Sequence, residues 1–230
     1  MLIECNNLTF RYPHTDSYVF KNLTCRISAP GFHSIFGPSG VGKTTLAKIM
    51  TNELTGAHGS IITHDIGPIL YSYNLERLPG WHSVGDHLAE VTPACNKDKI
   101  GELIRSFGLQ ARLSSRFAHL SLGQQNRINL ARYLLQDFHC LLMDESLANV
   151  DEATREHIIL TIKEMFPAKS FIYISHNVLE VSKFCNQIFV LRRPQKTPQA
   201  VCVTGQDYRQ GKPLKDKDLE LTMLEVVHAA

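Results

Sequence analysis

Short apolar runs, turn residues and helical patterns alternate along this chain. The first 36 residues consist of strand-like runs separated by turn residues, as at 13–17 and 29–31. Farther along, continuous apolar runs, as at 140–143 and 171–174, alternate with longer helical segments. Short apolar strands that alternate with helices are typical of a parallel sheet covered by helices on both faces. The pattern therefore predicts an α/β fold with a β-rich start.

The predicted strands cover 2–10, 23–28, 32–36, 60–63, 69–73, 140–144, 171–175 and 200–203. The predicted helices cover 42–52 and 151–165, and a helix-rich stretch covers 83–135. A closing helix follows, on which Leu219, Met223 and Val227 share one face. We expect a main domain over 1–205, with a helical part over about 75–135. The tail at 206–230 either docks on that domain or contacts a partner.

Composition and charge exclude several classes of protein. The chain has 230 residues, 43% of them hydrophobic, and 24 Lys and Arg against 22 Asp and Glu, for a net charge of +2. This length can bury a sizeable core, and this charge is too slight to bind a polyanion by itself. The apolar runs are far shorter than the roughly 20 residues of a membrane helix, and the start of the chain lacks a secretory signal. We therefore expect a cytosolic protein whose six cysteines are buried thiols.

A glycine-rich motif follows the apolar strand at 32–36 and opens a helix. Its pattern is G-x-x-x-x-G-K-[ST], in the strand-to-helix context that this motif requires. Glycines let backbone N–H groups converge on phosphate oxygens, and the helix N-terminus adds positive potential. Lys43 can reach the β and γ phosphates, and Thr44 can offer its hydroxyl to Mg²⁺. The predicted phosphate-binding residues are Gly37, Pro38, Ser39, Gly40, Val41, Gly42, Lys43, Thr44 and Thr45.

Two adjacent carboxylates, Asp144 and Glu145, come at the end of the apolar strand that starts at Cys140. Asp144 would hold Mg²⁺ through its waters, and Glu145 would orient or deprotonate an attacking water. The alternative is an acidic cap for the next helix. That alternative is less favoured, because Asp151 already supplies a cap for this helix.

The segment L-S-L-G-Q-Q-N-R at 120–127 precedes a helix whose apolar face is formed by Ile128, Ala131, Leu134 and Leu135. This segment resembles the L-S-G-G-Q signature of ABC ATPases, and the whole ordered set of motifs is present. The resemblance implies a P-loop NTPase fold of the ABC type. Such a fold has a mostly parallel sheet, an N-terminal antiparallel β subdomain and a helical subdomain.

The resemblance also implies ATP and Mg²⁺ as cofactors and assigns further residues. Tyr12, 25 residues before Gly37, matches the aromatic residue that stacks on adenine. His176, which follows the strand at 171–175, matches the histidine that contacts the γ-phosphate. Asn74 stands where the family has a glutamine. The implied catalytic residues are Glu145, His176 and Asn74, and the implied metal ligands are Thr44, Asp144 and Asn74.

The signature implies a site shared between two subunits. In the family, the signature of one subunit contacts the γ-phosphate that the other subunit holds, which here involves Ser121, Gly123 and Gln124. The chain departs from the family at several positions: Leu122 replaces the first glycine, Asn74 replaces the glutamine, Ala148 replaces a serine and Asn177 replaces an aspartate. The contacts that these positions make are therefore expected to differ from those of the family.

The run R-L-P-G-W-H-S-V-G-D at 77–86 is similar to a run in the ATPases of nitrate, sulfonate and taurine importers. Trp81 would then face a membrane subunit; the alternative is that it packs in the core of the helical part. The implied partners are a second ATPase subunit, identical or paralogous, and transmembrane permease subunits, with a solute-binding protein as a further candidate and no nucleic acid. The chain would then lie on the inner face of the cell membrane through its permease.

Three alternatives remain beside an importer ATPase. A soluble, non-transport ABC ATPase is disfavoured because the chain has neither a long coiled-coil insertion nor a second cassette. A kinase or GTPase is disfavoured because N-K-D-K at 96–99 has Lys99 where the guanine-reading aspartate must stand. A degenerate subunit with low turnover stays open because of Asn74 and Leu122.

Overall fold

The computed structural model describes residues 2–64, 67–74, 76, 78 and 80–230. In these residues the strands are β1 (Leu2–Phe10), β2 (Phe20–Ile27), β3 (Gly31–Phe36), β4 (His58–His64), β5 (Ile69–Tyr73), β6 (Cys140–Asp144), β7 (Ser170–Ile174), β8 (Gln187–Leu191) and β9 (Ala200–Thr204). The helices are α1 (Lys43–Met50), α2 (Val84–Val91), α3 (Lys99–Ser106), α4 (Leu122–Leu134), α5 (Glu152–Met165), α6 (Val178–Phe184) and α7 (Asp216–Ala229). None of the described helices is long and apolar enough to cross a bilayer.

Two sheets organise the chain. One is a six-stranded sheet in the order β5-β6-β7-β3-β8-β9, in which every neighbouring pair is parallel except β8 and β9. The other is a three-stranded antiparallel sheet in the order β2-β1-β4. Between β5 and β6, the chain forms the helices α2, α3 and α4 with short 3₁₀ turns. These findings confirm the predicted fold class.

The central strands are buried on both faces, which is why they are continuously apolar. On β6, Leu141 packs into the cluster that includes Phe171 and α5, whereas Leu142 packs into the cluster that includes Ile35 and α1. Both leucines are fully buried. Each contributes about 1.5–3 kcal/mol by leaving water. The predicted apolar face of α4 is likewise buried, as expected.

The structure differs from the sequence predictions in two respects. Both α6 and β8 were missed, because the four-residue apolar run of β8 has no motif beside it. The closing helix exists, but it buries Thr222 and Val226, and the predicted Val227 is exposed. The helix packs on α6 and β9, so the tail docks on the domain.

The cysteines only partly follow the prediction of buried thiols. All six are free, and Cys5, Cys140 and Cys185 are buried. Cys95 and Cys202 are exposed, so the prediction was wrong for these two. Cys202 lies on β9, the edge strand of the larger sheet, where alternate side chains face away from the core.

Parallel pairing brings the carboxyl ends of the strands to one edge of the sheet. Tyr73 on β5 pairs with Asp144 on β6, and Asp144 pairs with Ile174 on β7. Ile174 also pairs with Ile35, one residue before the end of β3. The segments that follow these strands therefore start side by side, and crevices at such strand ends are where α/β sheets bind ligands.

Candidate functional site

The phosphate loop connects β3 to α1 in a conformation that demands glycine. Gly37 and Gly42 have φ values of 148° and 107°. A Cβ at Gly37 would lie 2.5 Å from the carbonyl oxygen of Leu191, and a Cβ at Gly42 would lie 2.5 Å from a methyl group of Val19. α1 begins without a side-chain cap or an acidic residue in its first turn. The free N–H groups at the N-terminus of α1, together with the helix dipole, therefore form an anion-binding site.

Lys43 lies under this loop. Its Nζ donates hydrogen bonds to the carbonyl oxygens of Gly37, at 2.8 Å, and of Pro38, at 3.0 Å. Burial lowers the pKa of Lys43, and the carboxylates of Glu145 and Asp144 oppose that shift. The lysine is thus held at the loop, where it can exchange carbonyl partners for phosphate oxygens.

Asp144 receives two hydrogen bonds on the same carboxylate oxygen. The Thr44 hydroxyl donates to its Oδ2 at 2.6 Å, and the Tyr71 hydroxyl donates to it at 2.8 Å. Burial, and then the charge of Asp144, raise the pKa of Tyr71 well above its usual range, so the phenol stays a donor. Sequence reasoning missed Tyr71; its signal was a tyrosine within a buried strand, where a hydroxyl needs a partner.

Glu145 and His176 contact each other beside the loop. The His176 Nε2 lies 2.5 Å from the Glu145 Oε1, and both side chains are partly exposed. Glu145 has φ 51°, and its N–H donates to the carbonyl of Ile174 at 3.1 Å. A non-glycine residue in the left-handed region is uncommon and is held here by the neighbouring strand. With the phosphate loop and Asp144, this pair lines a cavity of about 250 Å³.

Asn74 follows β5 and reaches the same edge of the sheet. It lines a cavity of about 410 Å³ with Thr44, Asp144 and Glu145. Its Oδ1 accepts a hydrogen bond from Asn126 Nδ2, a residue of α4, at 2.9 Å. The structure thus brings Asn74 to the site that the sequence predicted, and adds Asn126, which no motif indicated.

Tyr12 stands at the other end of the phosphate loop. Its hydroxyl lies 3.0 Å from the Thr45 Oγ1, and its ring packs edge-on against Phe10 with ring centroids 5.1 Å apart. It lines a cavity of about 410 Å³ together with Pro38 and Val41. An exposed aromatic ring beside a phosphate loop is placed where a base can stack.

The signature residues lie apart from these cavities. Ser121 caps α4 in a capping box: its hydroxyl accepts from the Gln124 N–H at 3.3 Å, and the Gln124 side chain accepts from the Ser121 N–H at 3.1 Å. Gly123 is buried, and a Cβ there would lie 2.3 Å from the carbonyl oxygen of Asn149. Ser121 and Leu122 are exposed. The described cavities at the phosphate loop are lined by other residues.

The segment after Asn74 is fastened to α4. Glu76 forms an ion pair with Arg132, and its Oε2 accepts from Asn129 at 2.9 Å and from Tyr133 at 3.0 Å. Beyond it, Trp81 is 75% exposed, which rules out the core alternative within this chain. Of the run that contains Trp81, positions 77 and 79 lie outside the described residues.

A glycine-rich loop over a lysine, beside a hydroxyl–carboxylate pair, defines this chain as a P-loop protein that binds a nucleotide. The family model described as ABC transporter matches residues 20–148, more than half of the chain. The taurine import ATP-binding protein TauB of Roseobacter denitrificans is 31% identical over 82% of this chain and 77% of its own length. The chain belongs to the ABC transporter family, as an ATP-binding protein with the ATP hydrolase activity of that family.

Other relatives agree with this assignment. A probable metal transport system ATP-binding protein of Chlamydia trachomatis is 28% identical over 86% of this chain and 90% of its own length. A bacterial Atm1-family ABC exporter with ATP bound superposes with a TM-score of 0.70 at 20% identity. That match covers 84% of this chain and 37% of the exporter chain, and it shows the shared fold.

The backbone of Gly123 lies too close to the Asn149 carbonyl to leave room for a side chain. Gly123→Ala should lower the free energy of unfolding, since the added Cβ meets a backbone carbonyl that must move. We expect a loss of about 1–3 kcal/mol, measured by urea denaturation. The matched control is Gly101→Ala on α3, where a Cβ meets open space, which should stabilise the chain by about 0.5–1 kcal/mol. Equal effects of the two substitutions would contradict the packing described here.

Proposed function

We propose that this chain is the ATPase subunit of an ABC importer. Two copies, or this chain and a paralogue, close over MgATP and drive separate permease subunits in the membrane. The observation that carries the proposal is the pairing of Glu145 with His176 beside the phosphate loop, while the exposed Ser121 lies outside that cavity. In this proposal residues 1–205 form the ATPase domain, with its helical part over about 75–135, and 206–230 form a tail packed on it.

The nucleotide is held by the loop from Gly37 to Thr45. Backbone N–H groups and Lys43 bind the phosphates, and the ring of Tyr12 stacks on the base. The side-chain oxygens of Thr44 and Asp144 lie 2.6 Å apart. They are hard ligands of the kind that Mg²⁺ prefers. When bound there, Mg²⁺ neutralises charge on the phosphates.

Hydrolysis is carried out by Glu145 and His176. Glu145 accepts a proton from the attacking water, and His176, in contact with its Oε1, holds the carboxylate in place and reaches toward the γ-phosphate. Lys43 stabilises the charge on the transferred phosphoryl group. Glu145, whose backbone is left-handed, lines the cavity beside the phosphate loop.

A second copy completes the site. Ser121 and the N-terminal turn of α4 approach the γ-phosphate held by the other copy, because a helix N-terminus attracts an anion. Gln124 shapes this turn through the capping box. Leu122, half exposed at the position of a glycine in the family signature, lies at the same surface.

The exposed Trp81 supports a membrane partner. The Trp81 side chain is 75% exposed, so its ring is available to a partner, as the importer-like run that contains it implies. The relatives named for taurine and metal transport support a transporter role for this chain. The chain then lies on the inner face of the membrane through its permease, with a solute-binding protein as a further component.

The Glu145→Gln variant tests the composite site. It should keep ATP binding and lose hydrolysis by about 10²–10⁴-fold, the usual scale for losing a general base. Unhydrolysed nucleotide then remains a shared ligand of two copies and favours the dimer. Size-exclusion chromatography with light scattering, with and without MgATP, measures this.

Glu152→Gln, an exposed substitution at the start of α5, is the matched control and should leave turnover unchanged. Lys43→Ala should abolish the nucleotide effect. A Glu145→Gln protein that hydrolyses ATP normally, or that stays monomeric with MgATP even beside the permease, would contradict the proposal.

The membrane contact can be tested by cross-linking. With Cys95 and Cys202 replaced by serine, Trp81→Cys should cross-link to cytoplasmic loops of the co-purified permease. Leu221→Cys, at another exposed apolar position on α7, is the control and should not form this cross-link. Cross-links that form only within this chain would show that Trp81 faces another part of the same protein.

A further inference from the structure

One buried amide connects three parts of the site. Asn126, on α4, is 5% exposed. Its Nδ2 donates to the Oδ1 of Asn74 at 2.9 Å and to the carbonyl oxygen of Ala148 at 2.8 Å. Asn74 follows β5, and Ala148 belongs to the turn after β6. The two hydrogens of the Asn126 amide group therefore hold two loops against α4.

Hydrogen-bond chemistry fixes the orientation of both amides. The carbonyl oxygen of Ala148 can only accept, so the atom of Asn126 beside it is the nitrogen. That same nitrogen can only donate, so the atom of Asn74 beside it is the oxygen. An inverted Asn126 would place two oxygens in contact.

The orientation leaves Asn74 with a donor to offer. Its oxygen, the amide atom that binds cations, is turned toward α4. Its Nδ2 pairs with no acceptor among the described residues, and the side chain lines the cavity beside Asp144 and Glu145. A free N–H₂ group at this place is suited to a phosphate oxygen or a water, and not to Mg²⁺.

Asn126 also supports the turn that carries Glu145. The N–H of Ala148 donates to the Glu145 carbonyl at 2.9 Å, and the Ala148 carbonyl accepts from Asn126. The next residue, Asn149, has φ 62° and lies over Gly123. This turn of uncommon backbone conformation therefore rests on α4 at two places.

We infer that Asn126 is a positioning residue that makes Asn74 a hydrogen-bond donor to the γ-phosphate or its attacking water. Thr44 and Asp144 remain as the metal ligands, and Asn74 is not one of them. The inference rests on the proposed roles of Glu145 and Mg²⁺ in ATP hydrolysis. It concerns which amide atom of Asn74, the oxygen or the nitrogen, faces the nucleotide. The family's glutamine is longer than Asn74, so the resemblance does not answer this question.

Asn74→Asp distinguishes between two roles of residue 74, as a hydrogen-bond donor and as a metal ligand. The carboxylate has the same size, binds Mg²⁺ better and cannot donate. We expect kcat to fall by about 10²-fold, the scale for losing one preorganised donor. The Mg²⁺ concentration at half-maximal binding of a fluorescent ATP analogue, measured in the Glu145→Gln background, should not rise. Asn74→Ala should lower kcat similarly and leave this Mg²⁺ midpoint unchanged.

Asn126→Ala tests the positioning role through a double-mutant cycle with Asn74→Ala. If Asn126 acts through Asn74, the double variant should lose no more kcat than the worse single variant, with KM for ATP unchanged. Asn96→Ala is the matched control, since the Asn96 Nδ2 also bridges two carbonyls, of Leu135 and Gln136, away from the cavity. It should cost similar stability and leave kcat unchanged.

Several results would overturn the inference. A Mg²⁺ midpoint raised about 10–100-fold by Asn74→Ala would show that Asn74 helps to hold the metal. Normal turnover in Asn74→Asp would show that no donor is needed, and this variant decides the question even where Asn126→Ala does not fold. Independent losses in the cycle would remove the positioning role. A wild-type chain without Mg²⁺-dependent hydrolysis would instead refute the proposed function.

Discussion

The hydrogen bond from Thr44 to Asp144 depends on the parallel register of the larger sheet, and the site depends on both. It joins residues 100 positions apart, and it forms because β3, β7 and β6 end together. A shift of one residue in any of these strands would turn alternate side chains to the opposite face of the sheet. The buried leucines on both sides of β6 oppose such a shift, so the core specifies the site geometry.

The helix α4 contributes to the site in two ways. Its first residues form a capped, exposed turn at Ser121 that a second copy can approach. Farther along the helix, Asn126 holds Asn74, and in the last turn Arg132 holds Glu76 of the following segment. In the proposed function, a movement of this helix would therefore shift the Asn74 amide relative to the bound nucleotide. Under the proposed function, this connection would link a membrane partner to hydrolysis.

The sequence predicts those parts of the site that lie in short motifs. Lys43, Asp144 and Glu145 each follow an apolar strand, and local spacing is enough to identify them. Tyr71 and Asn126 act across 73 and 52 positions, and no local pattern reports such contacts. The buried face of α7 was displaced by one residue, from Val227 to Val226, because helical spacing alone does not fix rotation against a neighbour.

In the proposed dimer, one copy supplies the phosphate loop and the other supplies the signature. This shared site can be tested by mixing two inactive variants: Ser121→Arg, which blocks the signature, and Glu145→Gln, which removes the base. Each mixed dimer contains one intact site, so ATP turnover should reappear on mixing, while either variant alone should stay inactive. If mixed dimers form and bind ATP but turnover does not exceed the sum of the two variants alone, the shared site is contradicted.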